Sequence, residues 1–150
     1  MGSGPLVLGV LGALTVFGFV SYANHDRPEL VDNSEVAAAV EEACAVMARD
    51  VRAAVGDPVA VIRARNDAVV AMVDAVRALG PDLIARDEPT AAWLTDWRTL
   101  VDARARYADD LAAGRAPVWT PPVADGVPIV DRLASVGVAC AVPAEVADPR

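Results

Sequence analysis

Pro5 to Ala23, PLVLGVLGALTVFGFVSYA, is a run of nineteen residues without one charged side chain. Coiled into a helix that rises about 1.5 Å per residue it is roughly 28 Å long, enough to cross the hydrocarbon core of a bilayer. The rest of the chain is therefore expected to fold beside a membrane, with residues 1–23 as a transmembrane anchor in contact with lipid. The alternative is a signal peptide cleaved after Ala23, because Ser21-Tyr22-Ala23 puts small residues where a signal peptidase reads. Two features favour the uncleaved anchor. Met1-Gly2-Ser3-Gly4 has no Lys or Arg, and the apolar run is long for a signal. The segment also lacks a polar residue suited to transport, so it supplies adhesion rather than conduction.

Charge beside the run does not orient it. The amino-terminal side offers only the α-amine, while Arg27 stands among Asp26, Glu29 and Asp32. Orientation rests instead on two cysteines, Cys44 and Cys140, separated by 96 positions. That spacing excludes a CxxC redox motif and a local zinc clip, and the single His25 cannot complete a metal set. On the outer side of a membrane an even pair reads as a structural disulfide. The expected topology is then an amino terminus in the cytoplasm and a carboxy-terminal domain outside. All thirteen basic residues are Arg, Lys and Gln are absent, and there are 31 Ala and 25 Val. Such a composition is that of a GC-rich bacterial coding sequence, so the membrane is expected to be a bacterial cell membrane. The net charge of −8, with no basic stripe, argues against nucleic acid and anionic lipid surfaces as partners.

Residues 24–33 form a polar juxtamembrane linker broken by Pro28, and residues 34–142 are long enough for one helical domain. A first helix is expected from Ser34 to Val55, capped by Asp32 or Ser34 and stopped by Gly56. Its apolar stripe is Val36, Val40, Cys44, Met47, Val51 and Val55, in steps of four and three. A second opens at Asp57-Pro58 and runs to Leu79 before Gly80-Pro81. Residues 81–88 make a short connection with room for one helical turn. A third runs from Pro89 to Ala113, closed by Gly114, with Trp93, Leu94, Trp97 and Leu100 on its apolar face. Two Trp four residues apart on an aliphatic stripe read as core rather than as a sugar platform. Arg115 to Pro128 holds four prolines and is expected to cross the bundle extended. A short fourth helix follows at Ile129–Val136. Cys140 then returns to the first helix, and residues 143–150 are a flexible tail. The fold class is all-α: one membrane helix, a three-helix bundle and a proline-rich carboxy-terminal segment.

One feature breaks the simple pattern. At 100° per residue Arg65 falls inside the apolar arc of the second helix, and Arg104 near the centre of that of the third. Antiparallel helices place both at one level, which the first helix passes near Asp50. Two guanidiniums cannot sit there unpaired. Either Asp50, Glu41 or tail carbonyls neutralise the layer, or the arginine stems lie along the core with their heads in solvent, or it is a pocket for a small anion, since an Arg fork suits carboxylate or phosphate.

Catalytic signals are missing. Ser21, Ser34 and Ser135 have no base in context, no phosphate loop or metal motif is present, and Asp125-Gly126 is a turn. The chain reads as a non-enzyme without cofactor or metal. The expected role is an accessory or assembly subunit of a larger membrane complex; the alternative is an extracytoplasmic sensor or carrier for a small anion held by Arg65 and Arg104.

Overall fold

The computed structural model describes residues 30–31 and 33–150. The expected anchor and most of the linker lie outside the described residues, and no helix among the described residues is long and apolar enough to cross a membrane.

The described chain is mostly helical. In chain order it contains α1 (Ser34–Ala53), α2 (Pro58–Arg77), α3 (Pro81–Arg86), α4 (Glu88–Ala112), β1 (Val123–Ala124), β2 (Val127–Pro128), α5 (Ile129–Ala134) and α6 (Ala144–Ala147). Asp32 lies outside the described residues, and the cap of α1 is Asn33 rather than Ser34. Its side-chain oxygen accepts from the backbone N–H of Glu35 at 3.0 Å and of Val36 at 3.2 Å, which satisfies two amides that the first turn leaves open. At the other end the backbone is already extended at Ala54. Val55, expected on the core stripe, is therefore 86% exposed. Asp57 caps α2 as its sequence implied, accepting from Val59 and Ala60. Gly80, at φ 98°, turns the chain into the single six-residue turn of α3.

The cap of α4 is Asp87. Its carboxylate accepts from the Thr90 hydroxyl at 2.9 Å and the Thr90 N–H at 3.3 Å, and from the Asn33 N–H at 3.4 Å. One side chain thus fixes the starts of α1 and α4, which are 54 residues apart in sequence.

Helix α2 is the middle of the bundle and packs against both α1 and α4. Val36, Val40, Met47 and Val51 from α1 meet Val69, Met72, Val73 and Val76 from α2 and Trp93, Leu94, Trp97 and Leu100 from α4 in one core. These are the stripes that the four- and three-residue steps marked out. Trp93 and Trp97 are 1% and 0% exposed and meet edge to face, centroids 5.9 Å apart, so they fill the core.

The segment after α4 closes the open side of the three helices. Asp125 and Gly126, both at positive φ, form the turn of a two-residue antiparallel pair, Val123 with Pro128 and Ala124 with Val127. Ile129 and Leu133 of α5 enter the core completely. Cys140 is bonded to Cys44 with their Cα atoms 5.5 Å apart, so the tail is tied to the middle of α1. Residues from Pro143, expected to be flexible, instead form α6, whose Val146 is 0% exposed. A four-residue turn has no periodicity to reveal it; its hold comes from one apolar plug and a neighbouring arginine.

Candidate functional site

Arg104 occupies the position that the helical projection gave it: the core face of α4, with 0% exposure. Three groups share its guanidinium. Nε donates to Asn66 Oδ1 of α2 at 2.7 Å. Nη1 donates to the backbone carbonyls of Val146 at 2.7 Å and Glu145 at 3.1 Å. Nη2 is buried and finds no acceptor among the described residues. None of the carboxylates among the described residues hydrogen-bonds Arg104. Burial first, then the positive charge of Arg65, hold its pKa down to about 10, against a weaker pull from Asp148.

Arg65 is half-buried and donates Nε to the carbonyl of Val51, 3.3 Å away at the end of α1. It therefore belongs to the same charged neighbourhood as Arg104. Asp50 does not. It is exposed and takes Nε of Arg49 at 3.0 Å, the residue beside it in the chain. Of the acceptors expected for this layer, the tail carbonyls take Arg104, joined by the Asn66 amide, while Arg65 uses the Val51 carbonyl and Asp50 takes no part. The geometry explains the change: Asp50 lies one residue before Val51 and so, 100° round the helix, points off the core stripe. Glu41 is exposed as well.

Asn66 was not singled out in the sequence, although it was within reach. It stands four after Ile62 and three before Val69 on the buried stripe of α2 and is 6% exposed. A polar residue on that stripe opposite a buried Arg is the expected partner. Asp148 lies beside the site with its carboxylate on Arg150. Hydrogen bonds from Arg150 come first among the causes that lower the pKa of Asp148 to about 2.

The tail is thus held by three independent contacts: the disulfide, the two Arg104 bonds, and Trp119 Nε1 donating to the Ala147 carbonyl at 3.1 Å. Trp119 also meets Tyr107 edge to face at 5.7 Å. A half-buried ion pair, Arg132 Nε with Asp96 Oδ2 at 2.9 Å, joins α5 to α4. Arg63, spaced for a pair with Asp67, instead reaches Asp109 across to α4 at 3.0 Å. Chemically Arg104 recognises backbone carbonyls of the tail, and Arg65 one at the end of α1. Among the described residues no three His, Cys, Asp or Glu side chains converge to hold a metal ion.

Comparisons with protein-family models, with curated proteins and with solved structures return no match. The chemistry of this site and of the surface is therefore the basis for assigning a role.

Proposed function

We propose that the chain is a non-enzymatic, single-pass membrane protein, an accessory or assembly subunit acting through an extracytoplasmic helical domain. The observation that carries the reading is the bond between Cys44 and Cys140. It closes a 96-residue loop in a small domain whose sequence is preceded by the apolar run Pro5–Ala23. Disulfides of this kind persist in oxidising compartments, which supports a reading with residues 34–150 outside and the amino terminus in the cytoplasm.

The buried polar groups support a scaffold role. Asn66, Asp87 and Arg104 hydrogen-bond other elements of the same chain, and Thr90 bonds the cap of its own helix. They fix the ends of helices and the tail, and in that use each rigidifies a surface that a partner then reads. Extraction in mild detergent followed by native electrophoresis tests the proposal. The subunit reading requires migration well above the monomer with a defined companion; a lone monomer at every detergent level ends it.

The anion-carrier alternative keeps one supporting observation, the acceptor-free Nη2 of Arg104 beside Arg65. Calorimetric titration with inorganic phosphate or acetate decides it. Binding that survives in the Arg65→Ala, Arg104→Ala double variant removes both arginines from any role in it.

A further inference from the structure

The face that α1 and α2 turn away from the tail carries an open groove of about 280 Å³ to which neither α4 nor the tail contributes a residue. Its walls are alanines, Ala39 and Ala43 on α1 and Ala71 and Ala75 on α2, over a floor of Met47 and Met72. On α1 the lining runs from Ala39 to Asp50, about 17 Å at helical rise. Alanine walls let another backbone approach closely, and methionine floors adapt to what arrives. Val46, on the lining, remains 41% exposed.

Charge identifies the occupant. Among the described residues the ionisable groups lining the groove are two carboxylates, Glu42 and Asp50, in a chain of net charge −8. Asp50 is shared with Arg49, whereas Glu42 has no ion-pair partner among the described residues. A second copy of this chain would bring the same carboxylates to a two-fold interface, and an anionic lipid surface would be repelled. We propose that the groove docks one helix of a partner protein, apolar on the face that enters and basic along one edge. Glu42 and Asp50 are eight residues apart, about 12 Å along α1, so the partner's basic residues stand seven or eight positions apart.

This inference rests on the assembly-subunit reading and names the surface and the partner chemistry. A groove of this length covers well under the ~1,200 Å² of a stable interface, so the contact is weak when both partners are free in solution. Anchoring both in one bilayer raises the effective concentration enough for a weak contact to hold.

The test uses the full chain in nanodiscs of zwitterionic lipid and a fluorescent capped helical peptide of about 14 residues, four turns long. One peptide has an Ala/Leu face and two lysines seven positions apart; its twin has glutamates there. The lysine peptide is expected to bind, with affinity falling about tenfold or more from about 50 mM to about 500 mM salt as screening grows. Glu42→Gln is expected to weaken binding severalfold, and Ala71→Leu, which fills the groove from an exposed helical position, to abolish it. Thermal melts of both variants check that the bundle persists. Equal binding of the two peptides, no binding of the lysine peptide at about millimolar concentration, or unchanged binding in a folded Ala71→Leu protein overturns the inference. A native complex that survives Ala71→Leu leaves the subunit reading standing and removes the groove; absence of any native complex removes the subunit reading itself.

Discussion

Arg104 Nε and Asn66 Oδ1 lie 2.7 Å apart across the α4–α2 seam, both residues within the core. A buried cation is here held by a neutral amide and by carbonyls of the tail, with no carboxylate among its hydrogen-bond partners in the described residues. Such a charge is costly to bury, and it remains folded only while its donors are accepted.

Asn66→Ala should therefore cost about 1–3 kcal/mol, because it leaves Nε buried without an acceptor. The double variant Asn66→Leu, Arg104→Met should lose much less than the sum of the single losses, since it removes both polar partners together. Urea denaturation of Asn66→Ala, and of the wild type, Asn66→Leu, Arg104→Met and their double variant as a cycle, measures this.

The pH dependence of that arginine has a definite sign. Its folded pKa is lowered, to about 10, so the protonated form is disfavoured in the folded state wherever both states carry the proton. The penalty is constant below about pH 10 and is relieved only as pH climbs from there towards the ordinary guanidinium value. The stability difference between wild type and Arg104→Met should be flat from about pH 5 to about pH 9 and then move in favour of wild type. A slope within the neutral range would contradict the assignment.

Gly137 closes α5 at φ 76°, and a Cβ placed on it would stand 2.8 Å from Cδ2 of Leu30. Gly137→Ala should cost about 1–2 kcal/mol, combining left-handed strain with that crowding. Adding Leu30→Ala should relieve the contact but leave the backbone strain, recovering only part of the loss in chemical denaturation.

Cys44→Ala should lower stability by about 2–4 kcal/mol, less than the full loop-entropy value for so long a loop. Hydrogen exchange should rise first at residues 138–143, between the buried α5 and the Arg104 bonds. The helices α1, α2 and α4 should stay formed, because their stripes pack without the bond. Exchange rising equally throughout α4 would contradict this division.

The helices were legible because their punctuation is strong: Asp57-Pro58, Gly80-Pro81 and Gly114 mark ends, and Val36 to Val51 repeats at helical steps. The disulfide was legible from parity and spacing once Cys44 fell on a core stripe. Arg104 was placed by the same projection. Tail carbonyls were expected among its partners, but which of them, and Asn66 with them, was not legible, because they come from elements distant in the chain. Asn66 is 38 residues away and the Glu145 and Val146 carbonyls 41 and 42. Backbone carbonyls carry no residue identity, so no sequence pattern announces them. The cap Asp87 was missed for a related reason: its role depends on Thr90 and on Asn33 arriving from another helix.

Thiol mass-tagging of the protein in carbonate-washed membranes from the producing cells tests the proposal that the oxidised domain is held outside a membrane. The account predicts that the protein stays in the washed pellet and takes up no tag until a reductant is added, then two. Protein in the soluble fraction, or both cysteines tagged before reduction, would contradict it.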